Sequence, residues 1–155
     1  MDVKDNSSPD IKVRRRNLPH WELAGSTYFI TFRLKEGRLS PEEVGIVLEQ
    51  IKKGEPTFYE LFAATVMPDH VHVVLRPQAD ASLARIMKGI KGVSARLINE
   101  RRGSRGALWQ DESYDRVIRD EKEFAEKTQY VFNNAVKRGL CDDGWDYPGF
   151  YCKET

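Results

Sequence analysis

Two β-rich runs separated by a three-residue break constrain this chain more than any other feature. Phe58 to Val66 reads as a strand, rich in aromatic, β-branched and small apolar residues. Met67-Pro68-Asp69 interrupts it, because proline has no backbone N–H to give to a ladder. His70-Val71-His72-Val73-Val74-Leu75 resumes the extended pattern, so the three segments predict a hairpin. Side chains alternate across a strand. Val71, Val73 and Leu75 are therefore expected in the core, while His70 and His72 project together from the other face.

Further elements follow from periodicity and punctuation. Tyr28 to Leu34 is a strand by composition. Ser40-Pro41-Glu42-Glu43 supplies an N-cap, a proline at the first helical position and acids in the first turn. The helix behind it carries Val44, Val47, Leu48 and Ile51 on one face and stops near Gly54. A second helix is expected from Ser82 to Arg101, with Leu83, Ile86, Ile90, Val93 and Leu97 at helical spacing and Gly89 and Gly92 weakening its regularity. Tyr114 to Arg119 reads as a fourth strand, and a last helix runs from Asp120 to Arg138, closed by Gly139. The order predicts an α+β, ferredoxin-like sandwich, a mostly antiparallel sheet with helices packed on one face. Residues 1–13 are expected to be disordered, 14–140 to form one domain and 141–155 to be an irregular tail.

Length and composition agree with a single soluble domain: 155 residues, 40% hydrophobic and 32% charged. Apolar runs such as Leu61–Met67 are too short to cross a bilayer, and the polar start of the chain predicts no secretion. Cys141 and Cys152 lack metal-site spacing and read as free thiols of a reducing, cytoplasmic compartment. A net charge of +1 gives no global case for a polyanionic partner. The distribution of charge says more. Arg14, Arg15 and Arg16 precede the first strand, and Arg85, Lys88, Lys91, Arg96, Arg101, Arg102 and Arg105 face one acid, Glu100. These are candidate phosphate contacts, although a solvated helix face would look the same.

The chemistry centres on two clusters. His70 and His72, two apart in a strand, can offer two imidazole nitrogens to one metal. Lys127, Tyr130, Asn134 and Lys137 fall on one helical stripe, beside a more apolar stripe of Phe124, Thr128, Val131 and Ala135. A tyrosine hydroxyl, with an ordinary pKa of about 10, is a poor nucleophile until a cation or a metal-polarised setting favours its anion. Asn134, one turn on, can offer a side-chain oxygen to the metal of the histidines. A pair of structural histidines and an amphipathic helix with a half-buried tyrosine would leave the same residues.

Three separated motifs go further. Met67-Pro68-Asp69-His70-Val71-His72, Trp109-Gln110 and Tyr130-Val131-Phe132-Asn133-Asn134-Ala135-Val136-Lys137-Arg138-Gly139 resemble, in order and spacing, the single-tyrosine HUH transposases. Within these, the chain is most similar to the REP-associated tyrosine transposases. Leu18-Pro19-His20-Trp21 leading into Tyr28-Phe29-Ile30-Thr31-Phe32 is similar too, so the likeness runs from about Arg14 to Leu140. Ala135 departs from the usual proline. The resemblance implies His70, His72 and Asn134 as ligands of Mg²⁺ or Mn²⁺, and Tyr130 as the nucleophile of a single-stranded DNA endonuclease and strand transferase with a 5′-phosphotyrosine intermediate. It implies hairpin-bearing DNA as substrate, a nucleoid-associated bacterial setting, and a monomer or homodimer. Arg14–Arg16, the basic helix, Lys127 and Lys137 would contact phosphate. Trp21, Trp109 and Tyr114 are candidates for base stacking, and Tyr114 is a rival nucleophile. An inactive relative that only binds hairpin DNA, and a metal hydrolase without a covalent step, are the alternatives.

Overall fold

The computed structural model describes residues 25–154. The predicted disordered segment, Arg14, Arg15, Arg16 and Trp21 lie outside them. Five strands and three helices follow in the order β1 (Thr27–Arg33), α1 (Pro41–Lys53), β2 (Tyr59–Val66), β3 (His70–Pro77), α2 (Leu83–Arg102), β4 (Tyr114–Ile118), α3 (Glu121–Lys137) and β5 (Phe150–Cys152). The strands form one sheet in the order β4-β1-β3-β2-β5, every neighbouring pair antiparallel. The expected hairpin is β2–β3. Its turn is tied to the chain around it, since the Asp69 carbonyl accepts from Leu34 N at 3.0 Å and the Pro68 carbonyl from Leu39 N at 2.7 Å.

The helices divide between the two faces of the sheet. Val71, Val73 and Leu75 of β3 and Ile30 and Phe32 of β1 pack against Val44, Val47 and Ile51 of α1 and Ile86, Ile90 and Ile98 of α2. Each such side chain, fully buried, contributes about 1.5–3 kcal/mol over exposure. The third helix departs from the one-face expectation. Phe124 and Val131 bring α3 onto the opposite face, against Phe62, Ala63, Val74 and Ile118. The physical reason lies in β2 and β3. Val74, Ala63 and Phe62 make the second face of the hairpin apolar as well, so it also needs cover.

Capping sets the helix starts. Ser40 and Glu43 exchange backbone-to-side-chain hydrogen bonds of 3.2 and 2.9 Å, a complete capping box. Gly89 and Gly92 do not interrupt α2, which closes on Gly103 with φ 68°, a left-handed conformation that favours glycine.

The 141–155 segment is not irregular throughout. It holds a 3₁₀ turn, Gly144–Asp146, and β5, which extends the sheet beside β2. A strand of three residues is too short to show alternation in a sequence. Among the described residues no helix is long and apolar enough to cross a membrane.

Candidate active site

The site lies between β3 and α3. In β3, alternation turns His70 and His72 away from the α1–α2 core. The two rings sit 4.8 Å apart between centroids, and the Tyr130 ring of α3 lies 5.2 Å from that of His72. Tyr130 is 42% exposed, while His70 and His72 are almost fully buried. The helix stripe read from the sequence therefore aims its tyrosine at the histidine pair and keeps its hydroxyl-bearing ring open to solvent.

Each imidazole is fixed through one nitrogen. His70 Nδ1 lies 2.7 Å from the Asp69 carboxylate, and His72 Nδ1 lies 2.8 Å from the Thr31 hydroxyl. With Nδ1 as the donor in both, the Nε2 lone pair of each ring is left as an acceptor, the arrangement typical of metal-binding histidines. Desolvation pushes the His72 pKa down to about 3, helped by the positive charges of Arg33, Arg138 and Lys127. Desolvation also lowers that of His70, outweighing the pull of Asp69. Asp69 in turn is held below its ordinary value, first by its hydrogen bond with His70. The pair is therefore a neutral imidazole donating to a carboxylate. Neutral rings are the form that binds a cation.

Asn134 follows Tyr130 by one turn of the same helix. Tyr130 abuts His72, and Arg138, the C-cap residue just past the end of α3, reaches Asp69 beside His70 at 4.0 Å. Asn134 lies midway between them on that stripe. It is 6% exposed, and its Oδ1 has no hydrogen-bond partner among the described residues. An unsatisfied buried carbonyl costs about 1–3 kcal/mol, which a ligand can relieve. No group of three His, Cys, Asp or Glu side chains that could hold a metal ion occurs among the described residues. A cation at this point would draw two nitrogens from the histidines and an oxygen from Asn134, a donor set that suits Mn²⁺ well and Mg²⁺ acceptably.

Several contributors escaped sequence reasoning. In β1, Phe29, Thr31 and Arg33 stand in register with Val74, His72 and His70. Phe29 stacks on His72 at 5.4 Å and meets Tyr130 edge-on at 6.0 Å. Period-two alternation from Phe29 to Arg33, opposed to Ile30 and Phe32, was the available signal. Lys127 Nζ lies 4.9 Å over the Phe29 ring and Lys137 Nζ 5.9 Å over that of Tyr130, so both predicted lysines flank the site.

The basic helix is elsewhere. Arg85, Lys88, Lys91, Arg96, Arg101 and Arg102 belong to α2, on the far side of the sheet from Tyr130. Arg102 grips both Glu43 oxygens at 2.8 and 2.9 Å, Arg101 pairs with Glu42 and Arg96 with Glu100. Lys91 Nζ donates to the Gln110 and Asp111 carbonyls and the Ser113 hydroxyl. Trp109 is buried, its Nε1 3.0 Å from Ser94 Oγ, which is a packing role. Tyr114 is 82% exposed on β4.

Comparison with known proteins bears on the family and the fold. The chain is similar to a protein of Haemophilus influenzae assigned as a REP-associated tyrosine transposase, 26% identical over 60% of this chain and 60% of that protein. The match thus spans less than two thirds of that relative's length. It is 24% identical to a REP-associated tyrosine transposase of Escherichia coli K12, over 81% of this chain and 76% of the other. The fold matches the solved structure of a REP-associated tyrosine transposase bound to a REP hairpin with a TM-score of 0.64, at 22% identity, covering 86% of this chain and 81% of that one. The family model "Transposase IS200 like" matches residues 41–134, more than half of the chain and all four of His70, His72, Tyr130 and Asn134, so the chain belongs to the IS200-like transposases.

Proposed function

We propose that the protein is a single-tyrosine HUH endonuclease and strand transferase acting on single-stranded, hairpin-bearing DNA, with Tyr130 as its nucleophile. The observation that carries this reading is an exposed tyrosine set 5.2 Å from His72, with both imidazoles tied by Nδ1 and a buried, orphaned Asn134 oxygen one turn along the tyrosine's helix.

Tyr130 Oη attacks the scissile phosphorus and its proton leaves to solvent. The bond from phosphorus to the 3′ oxygen breaks, that oxygen takes up a proton, and the downstream strand stays on the protein as a 5′-phosphotyrosine. Attack by a 3′-hydroxyl on that link reverses the step and joins a new pair of ends, so no nucleotide hydrolysis is needed. A bound divalent cation, Mg²⁺ or Mn²⁺, held by His70, His72 and Asn134, supplies polarisation of the phosphate and offsets its developing charge. Asp69 and Thr31 hold the two rings in orientation. Lys127, Lys137 and the exposed Arg33 neutralise phosphates on either side of the attack.

The test is a 3′-labelled single strand carrying a hairpin, incubated with Mn²⁺ and run on a denaturing gel. Wild type is expected to give a slow-migrating protein–DNA species. Tyr130→Phe should give none, and Tyr114→Phe should still form it. An adduct that persists in Tyr130→Phe and disappears in Tyr114→Phe would transfer the role to Tyr114. Cleavage with no adduct in any variant would make the protein a metal hydrolase, and binding without cleavage an inactive hairpin-binding relative.

A further inference from the structure

Helix α3 covers only part of its face of the sheet. It packs chiefly on β2 and β3 and reaches β4 only near Ile118 and Arg116, which leaves Tyr114, 82% exposed, uncovered on that face. Tyr114 stands in register with Thr31 of β1, and Thr31 in register with His72 of β3. Directly paired residues project from the same side of a sheet, so Tyr114, Thr31 and His72 form one row. At about 4.8 Å per strand, the Tyr114 Cα is about 10 Å from that of His72. We propose that this open β1–β4 surface is a stacking platform, on which a base next to the scissile phosphate packs against the Tyr114 ring. The inference rests on the single-stranded DNA reading above and extends it to one named base contact.

Three observations support it. The first is rigidity. The loop before Tyr114 is held by Lys91 through Gln110 O, Asp111 O and Ser113 Oγ, and by the Gln110 N–H, which donates to Arg33 O at 2.9 Å. An exposed tyrosine kept only for β-propensity has no need of such an anchored approach. The second is charge. Arg33 is exposed on the same side, diagonal to Tyr114, and makes no ion pair among the described residues. Arg116, by contrast, is engaged by Glu123. A guanidinium free for phosphate next to an aromatic face is the combination that single-strand binding uses. The third is position. The row runs through His72, so a strand whose phosphate reaches His72 and Tyr130 can lay its neighbouring base over β1 onto Tyr114. Thr31 between them is small and leaves that path open.

The hydroxyl of Tyr114 plays no part in stacking, which separates this role from that of a nucleophile. The experiment uses the full chain and a hairpin oligonucleotide with single-stranded tails, carrying 2-aminopurine at successive tail positions. One position is expected to change fluorescence on binding to wild type, to lose that change in Tyr114→Ala and to keep it in Tyr114→Phe. Affinity for the tailed hairpin should fall on the order of tenfold in Tyr114→Ala, as stacking contacts of this kind do, and should survive in Tyr114→Phe. Equal affinity of Tyr114→Ala and wild type, or weaker binding with every 2-aminopurine position unaltered, overturns the platform. If wild type forms the covalent adduct while Tyr114→Ala matches it in affinity, only the platform falls. If wild type neither binds the tailed hairpin nor forms an adduct, the DNA reading itself falls.

Discussion

The two faces of the sheet differ in how completely their polar groups are met. On the α1–α2 face charges are answered from within: Ser40 caps α1, Glu43 completes the box, and Arg102 closes on both Glu43 oxygens. That arrangement holds the Glu43 carboxyl at about 2, chiefly through the Arg102 hydrogen bond. On the α3 face, Tyr130 stands open to solvent and the Asn134 oxygen is buried with no partner among the described residues. Satisfied groups lock a scaffold, whereas unsatisfied ones point to what is to be bound. The contrast also explains why the richest basic segment of the sequence is not the one beside the tyrosine.

The largest effect that separates the faces is expected at Asn134. Asn134→Leu should reduce adduct formation by about 100-fold or more, given that even outer-sphere groups of metal sites cost 10–100-fold. Its melting temperature should hold or rise, because an unsatisfied buried oxygen is removed. A clear loss of thermal stability would mean that this oxygen serves the fold, and the contrast would fail.

Next comes Glu43→Gln, the same test on the other face. Loss of the charge-assisted pair should lower the melting temperature by about 3–8 °C at neutral pH, from a contribution of about 1–3 kcal/mol allowing for the partial exposure of Arg102. Adduct formation should persist. Because the folded carboxyl titrates at about 2 and the free one at 4.5, this contribution is complete above pH 4.5 and is lost as pH falls towards 2. Melting curves of wild type and Glu43→Gln should converge over that window. A gap that stays constant would show that the pair is not its source.

A smaller effect concerns salt. Removing Lys127 and Lys137 together should reduce the slope of log affinity against log salt by about 1.4, two phosphates at about 0.7 each for a single strand. Arg101→Ala with Arg102→Ala should change it less. The reverse ranking, measured by anisotropy titration, would put the strand on the α2 side. Least of all, Arg101→Ala alone should shift stability by under about 1 kcal/mol, since its 3.7 Å pair with Glu42 is exposed.

Much of this was legible because it rests on local rules. The hairpin and its alternation fix where His70 and His72 point, as the observed register has it, and the last-helix stripe brings Tyr130 to His72. What stayed hidden depends on tertiary partners. Nothing in the run Arg85 to Arg105 distinguishes an arginine gripped by Glu43 from one free for phosphate. Likewise Thr31 and Phe29 join the site through strand pairing across a gap of about forty residues. The face chosen by α3 depended on a second apolar surface of the hairpin, visible only once β2 and β3 were paired.

The segment after α3 acts as a mechanical stop. The Tyr147 hydroxyl donates to the Val66 carbonyl at 2.6 Å, and the Trp145 and Phe150 rings each sit 5.5 Å from that of Phe132, wedged behind the helix. A β-carbon on Gly144 would come within 2.5 Å of the Phe132 carbonyl, so the wedge fits only with glycine there. One turn of slippage along the helix axis, about 5.4 Å, would put Lys127 or Asn134 where Tyr130 belongs. A few residues that never approach the histidines thus index the helix, like a detent on a sliding shaft, and decide which side chain is presented to them.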